Sequence, residues 1–214
     1  MFGELIAFID VLRASVLDFH SHKLGSKRKA VISALLETYF YLKDATDEGE
    51  ILIEDAAPSP VEVIRSLSPS DAKVRLAKWD NVLRRQTFRL MRISDRVFGQ
   101  DFLDVVSPSL RESLNNVLGS KFDRATSLHG IGAALLFRGW VNGSPEEQAH
   151  YVSVMAGEED DLLHMDRIRD EIARLREGME SYRQAVQGLA SSEELIVLSQ
   201  AARTATLLPH EALA

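Results

Sequence analysis

The stretch MDRIRDEIARLREGMESYRQAVQGL, residues 165–189, decides the fold class. Its apolar residues Met165, Ile168, Ile172, Leu175, Met179, Tyr182, Val186 and Leu189 recur at alternating steps of three and four. A mean step near 3.5 puts all of them on one narrow stripe of a long helix, the kind that bundles and coiled coils bury against another helix. The other faces are charged, and Arg167 with Glu171, Asp170 with Arg174 and Arg176 with Glu180 place opposite signs one turn apart, as suits a wet surface. The pattern predicts a helix over 158–189. Gly178 and Gly188 fall within that span, each costing a helix about 1 kcal/mol relative to alanine. A helix supported by neighbours tolerates that better than a free-standing coiled coil, so the stripe reads first as the spine of a bundle and second as an oligomer seam.

Working outward, the first residues repeat the same alternation. Phe2, Leu5, Ile9, Leu12, Val16 and Phe19 form one stripe, followed by a polar run from His20 and then Gly25. A second helix is predicted over 27–46, with Ile32, Leu35, Tyr39 and Leu42 inward and Tyr41 outward. The short connection makes the two an antiparallel hairpin. Residues 55–70 carry Pro58, Pro60 and Pro69 and read as a loop with a short helical turn at 61–67, where Ser59 and Pro60 suit a helix start. A long helix over 71–98 stops at Gly99. Further helices are predicted over 108–118 and 122–141, the latter rich in small residues at Gly130, Gly132, Ala133 and Ala134. Ser144 to Glu147 and Ser191 to Glu194 have the form of capping boxes. The last helix ends near Leu207, and residues 209–214 read as a frayed tail. Sustained period-two alternation is missing from the sequence. The expectation is an all-α multi-helix bundle, one domain over 1–208, with an N-terminal antiparallel helical hairpin and a long coiled-coil-like C-terminal helix.

The composition narrows the chemistry. The chain has 214 residues, 45% of them hydrophobic, enough for one sizeable core. It has no cysteine, which excludes disulfides, thiolate metal sites and cysteine nucleophiles. Its apolar runs fall far short of the ~20 residues that span a bilayer, and no basic leader opens the sequence. A soluble cytoplasmic protein without membrane association is therefore expected. The net charge of −7 weighs against a dedicated nucleic-acid binder. A carboxylate-bridged di-iron site needs two Glu-x-x-His pairs, whereas the sequence offers a lone Asp161-x-x-His164. His20 and His22, two apart, diverge on a helix. Phosphate-binding and nucleophile-elbow motifs are missing too, and neither metal nor cofactor is expected.

Two constellations remain. On the helix over 71–98, Lys78, Arg85, Arg89, Arg92 and Arg96 lie within a sector of about 60°, taking 100° per residue. They flank the apolar face of Leu76, Trp79, Leu83, Leu90 and Val97. Cations without interleaved carboxylates suit a phosphate or nucleic-acid contact, docking on an acidic partner, or pairing with an acidic helix of the same chain such as the one holding Glu158, Glu159, Asp160 and Asp161. A smaller basic group, Lys23, Lys27, Arg28 and Lys29, marks the first turn. Trp79 and Trp140 read as core or interface anchors.

The second constellation is Arg124 and His129 in Arg124-Ala125-Thr126-Ser127-Leu128-His129. This spacing resembles the Arg-x4-His motif of the HEPN nucleases, all-helical domains that cleave RNA without a metal. The resemblance implies His129 as general acid or base and Arg124 as the stabiliser of phosphate charge. The chain departs from that family in having Ala125 after the arginine and some 85 residues beyond the motif.

The functional expectation is a non-enzymatic helical interaction or assembly protein, an accessory subunit or adaptor. It would associate with itself or a protein partner through the ladder from Ile168 to Val186 and the edge from Lys78 to Arg96. The alternatives are a metal-independent ribonuclease using Arg124 and His129, and a nucleic-acid-binding regulator using the basic edge.

Overall fold

A computed structural model describes residues 2–19, 28–58, 60–98, 144, 146 and 165–208. Six helices are found among them: α1 (Phe2–Phe19), α2 (Arg28–Ala56), α3 (Pro60–Ser66), α4 (Pro69–Phe98), α5 (Met165–Gln187) and α6 (Ser192–Thr206). No strand occurs among the described residues, and the fold is an all-α bundle. The helices expected over 108–118 and 122–141, the box at 144–147, the acidic run 158–161, Trp140, Arg124, His129 and the tail 209–214 lie outside the described residues, apart from Ser144 and Glu146.

Helix α2 occupies the centre, with α4, α5 and α6 packed around it. It runs ten residues further than its apolar stripe suggested, to Ala56. Ile53 and Ala56 are buried against Leu76, Trp79 and Leu83 of α4. The helix then stops just short of Pro58, whose ring disfavours helical backbone at the residue before it. Tyr41, expected outward, is buried. A helix covered on three sides has no single inward stripe, so periodicity misplaces such residues.

The loop before α4 is shorter than expected, because Pro69 opens the helix rather than preceding it. Proline suits the first helical position, where no backbone donor is needed. Ser68 caps it, its Oγ accepting from the Asp71 backbone N–H at 3.2 Å. At the other end of the chain, Gly188 forms the turn beyond α5 instead of interrupting the helix. The Leu189 side chain still reaches the core. Ser191 caps α6 as expected, its Oγ accepting from the Glu194 N–H at 3.3 Å, while the Glu194 carboxylate pairs with Arg28 rather than closing the box.

Helix α1 rests mainly on α5, not on α2 as a simple hairpin would have it. Gly178 lies against Ile9, and a β-carbon there would stand 3.4 Å from the Ile9 Cγ2. The main core joins Phe8, Ile9, Leu12 and Val16 of α1 to Ile32, Leu35 and Leu42 of α2 and to the α5 ladder. A second core around Trp79, Ile64 and Ile53 includes Ile172 of the same ladder.

Candidate functional site

The basic edge of α4 faces α2, and α2 answers it with carboxylates at matching steps. Lys78, Arg85, Arg89 and Arg96 step by seven, four and seven along α4. Asp55, Glu48, Asp44 and Glu37 step by the same intervals in the opposite direction along α2. The two helices are antiparallel, so each cation meets its counterpart. Lys78 Nζ lies 2.8 Å from Asp55 Oδ2, and Arg85 Nε donates to Glu48 Oε1 at 2.6 Å. Arg96 Nε donates to Glu37 Oε2 at 2.6 Å. Arg89, only 2% exposed, reaches both oxygens of Glu48 at 3.0 and 3.1 Å and lies 3.5 Å from Asp44. The pairing of these cations is thus with α2.

The seam extends to the other neighbours of α2. Arg203 of α6 donates to Asp44 Oδ2 at 2.6 Å, and its guanidinium stands 5.6 Å from the centre of the Phe40 ring. Arg176 of α5 bridges Asp47, at 2.9 Å, and Glu50. Burial pushes the Asp47 carboxyl up, but hydrogen bonds and charge from Lys43 and Arg176 outweigh it and hold the group below its usual range. Asp55 is likewise lowered, Lys78 and Arg75 overcoming the effect of burial. Lys78, Arg96, Arg176 and Arg203 remain well exposed, so solvent screening keeps their pairs weak, whereas the buried Arg89 carries a real desolvation cost against its attraction to Glu48 and Asp44.

Arg92 differs from the other four. The α2 residue at its step is Tyr41, a phenol whose pKa burial raises. The Arg92 guanidinium is exposed and lies over the Phe88 ring, 5.0 Å from its centre. Phe88 and Met91 are 39% and 54% exposed. With Val74, also exposed, they mark an outward face on α4.

No protein-family model, curated protein or solved structure matches the chain.

The ladder has its partners within the chain from Ile172 onward. Ile172, Leu175, Met179, Tyr182, Val186 and Leu189 are all buried. Tyr182 donates its hydroxyl to the Leu35 carbonyl at 2.9 Å, which satisfies the polar end of a side chain otherwise sunk in the core. Met165 and Ile168 fall in the first turns of α5; their side chains lie outside the described set. So does the pair Arg124 and His129. Among the described residues no group of three or more His, Asp and Glu side chains could hold a metal ion, and no helix is long and apolar enough to cross a membrane.

Two features of the site carry a signal in the sequence that the expectations above do not use. The acidic steps of α2 mirror the basic steps of α4 in the sequence itself, as two antiparallel ladders. The outward face of α4 was readable too: at about 100° per residue, Phe88 falls opposite Trp79 and Met91 falls beside the stripe of Leu76, Leu83 and Leu90.

Proposed function

We propose that the protein is a non-enzymatic helical interaction module, an accessory or adaptor subunit working through protein–protein contacts on the outward face of α4. The observation that carries this reading is the exposure of Phe88 and Met91, close to one turn apart, on a helix whose other sides are committed to the bundle. Burying a side chain of this size stabilises by about 1.5–3 kcal/mol, so two such residues favour a partner that covers them. Arg84 and Arg92 flank them and would lend orientation at the rim. A protein partner fits better than a nucleic acid, because four of the five edge cations are engaged by carboxylates of α2. The ladder and the charged seam would then serve to hold this face rigid.

A photo-crosslinking residue placed at Met91, with exposed Glu177 as control, tests the reading in cells. A protein adduct formed from position 91 and not from 177 is the expected result. Adducts at neither position would sink it. Purified protein that cleaves RNA in EDTA, and loses that activity on His129→Ala, would replace it with a metal-independent ribonuclease.

A further inference from the structure

We infer that the partner of the outward α4 face is a second copy of this chain, bound α4 against α4 in antiparallel orientation. The inference rests on the interaction reading above and specifies its partner.

Its basis is the order of residues along that face. Arg84, Phe88, Met91 and Asp95 follow one another at steps of four, three and four, a spacing that reads the same in both directions. All four are exposed. A two-fold axis between Arg89 and Leu90 therefore sets Phe88 opposite Met91 of the second copy, and Arg84 opposite its Asp95. Each contact occurs twice, as an isologous interface requires. The centre is apolar and the flanks carry opposite charges.

The charges select this register. Asp95 makes no ion pair among the described residues, and Arg84 already donates to Asp80 of its own helix at 2.7 Å while remaining 48% exposed. The register one heptad earlier would pair Val74 with Met91. It would also bring the two Arg84 side chains within a turn of each other and leave Asp95 facing Ser70. Like charges at such spacing disfavour it. Arg92 adds to the chosen register by flattening over Phe88, which leaves the ring edge free to meet Met91 of the other copy; methionine sulfur makes favourable contacts at ring edges.

Charge reversal tests both partner and register. Sedimentation of the purified chain across a wide concentration range should show a monomer–dimer equilibrium. Arg84→Glu alone and Asp95→Arg alone should each raise the dissociation constant at least about tenfold, because each puts like charges together twice. Mixing the two single variants should restore dimers. In the mixed pair the introduced glutamate of one chain faces the introduced arginine of the other, and the unaltered Asp95 faces the unaltered Arg84. Circular dichroism checks that the variants fold. Met91→Glu, at the exposed centre, should dissociate the dimer independently of the charges.

A wild type that stays monomeric throughout overturns the inference, as does a dimer indifferent to Met91→Glu. Dimers that form but are not rescued by mixing overturn the register. A monomeric wild type whose position 91 nonetheless captures a different protein leaves the interaction reading standing while self-pairing fails.

Discussion

Arg89 sets the energetics of the α2–α4 seam. It is the most buried cation in the seam, and its guanidinium is shared between Glu48 and Asp44. Replacing it with methionine leaves two carboxylates in a desolvated place with one cation fewer. Arg89→Met is expected to cost about 3–5 kcal/mol, the usual penalty for breaking a buried ion pair from one side. Arg92→Met, at an exposed position, should shift stability by less than about 1 kcal/mol. Urea denaturation of both variants makes the comparison, and equal losses would show that burial does not set the difference. Glycines offer a test of opposite sign. At Gly178 a β-carbon would make ordinary contact with Ile9, so Gly178→Ala should gain up to about 1 kcal/mol from helix propensity. At Gly49 a β-carbon would come within 3.2 Å of the Gln86 Nε2, which is already donating to the Ala45 carbonyl. That amide must yield, so Gly49→Ala should gain less or lose stability.

Among the elements, α6 depends on its cap and on Arg28, which donates to the Leu189 carbonyl at the end of the preceding turn and pairs with Glu194. Ser191→Ala should cost about 1 kcal/mol, read as a lower midpoint in thermal or urea unfolding. That cap was legible in the sequence because it is local: a serine, then a glutamate three residues on. The α5 ladder was legible for a related reason, since a helix buried along one stripe repeats its apolar residues with one period. Helix α2 was not. It meets α4, α5 and α6 on different sides, so its inward set mixes Leu42 and Ile53 with Asp44, Glu48 and Tyr41, and no single period describes it. The basic edge of α4 was visible as five aligned cations. Its partner was not, because a cation's destination is a tertiary fact; the sequence offered the acidic run 158–161 as readily as the carboxylates of α2. Phe88 and Met91, by contrast, were legible as outward residues, because at about 100° per residue they fall off the stripe of Leu76, Trp79, Leu83 and Leu90; what covers them is again a tertiary fact.

Over the whole molecule, carboxylates of α2 hold cations from three neighbouring helices, so protonating them loosens the bundle on several sides at once. Asp47 and Asp55 have folded pKa values held below their ordinary ones. The folded state therefore binds those protons less tightly than the unfolded chain does. Their stabilising contribution is complete above the ordinary carboxylate pKa of about 4 and is lost as pH falls through the depressed folded values. The alkaline side follows from Tyr182, whose complete burial raises its pKa well above the usual value. Here the folded state holds its proton more tightly. Its contribution is intact below about pH 10 and declines as pH rises towards the folded value. Urea midpoints followed by circular dichroism should thus form a plateau between these limits and fall on both sides. On the acid side, Asp55→Asn should lower the plateau and flatten the fall below about pH 4, because the variant has one less depressed carboxyl to protonate. On the alkaline side, phenolate absorbance from Tyr182 should rise only as helical signal disappears, since ionising a hydroxyl that donates to the Leu35 carbonyl inside the core requires the bundle to open. Phenolate formation at Tyr182 with the helices intact, resolved by comparison with Tyr182→Phe, would show that the α2–α5 contact opens locally and that the bundle does not respond to pH as one unit.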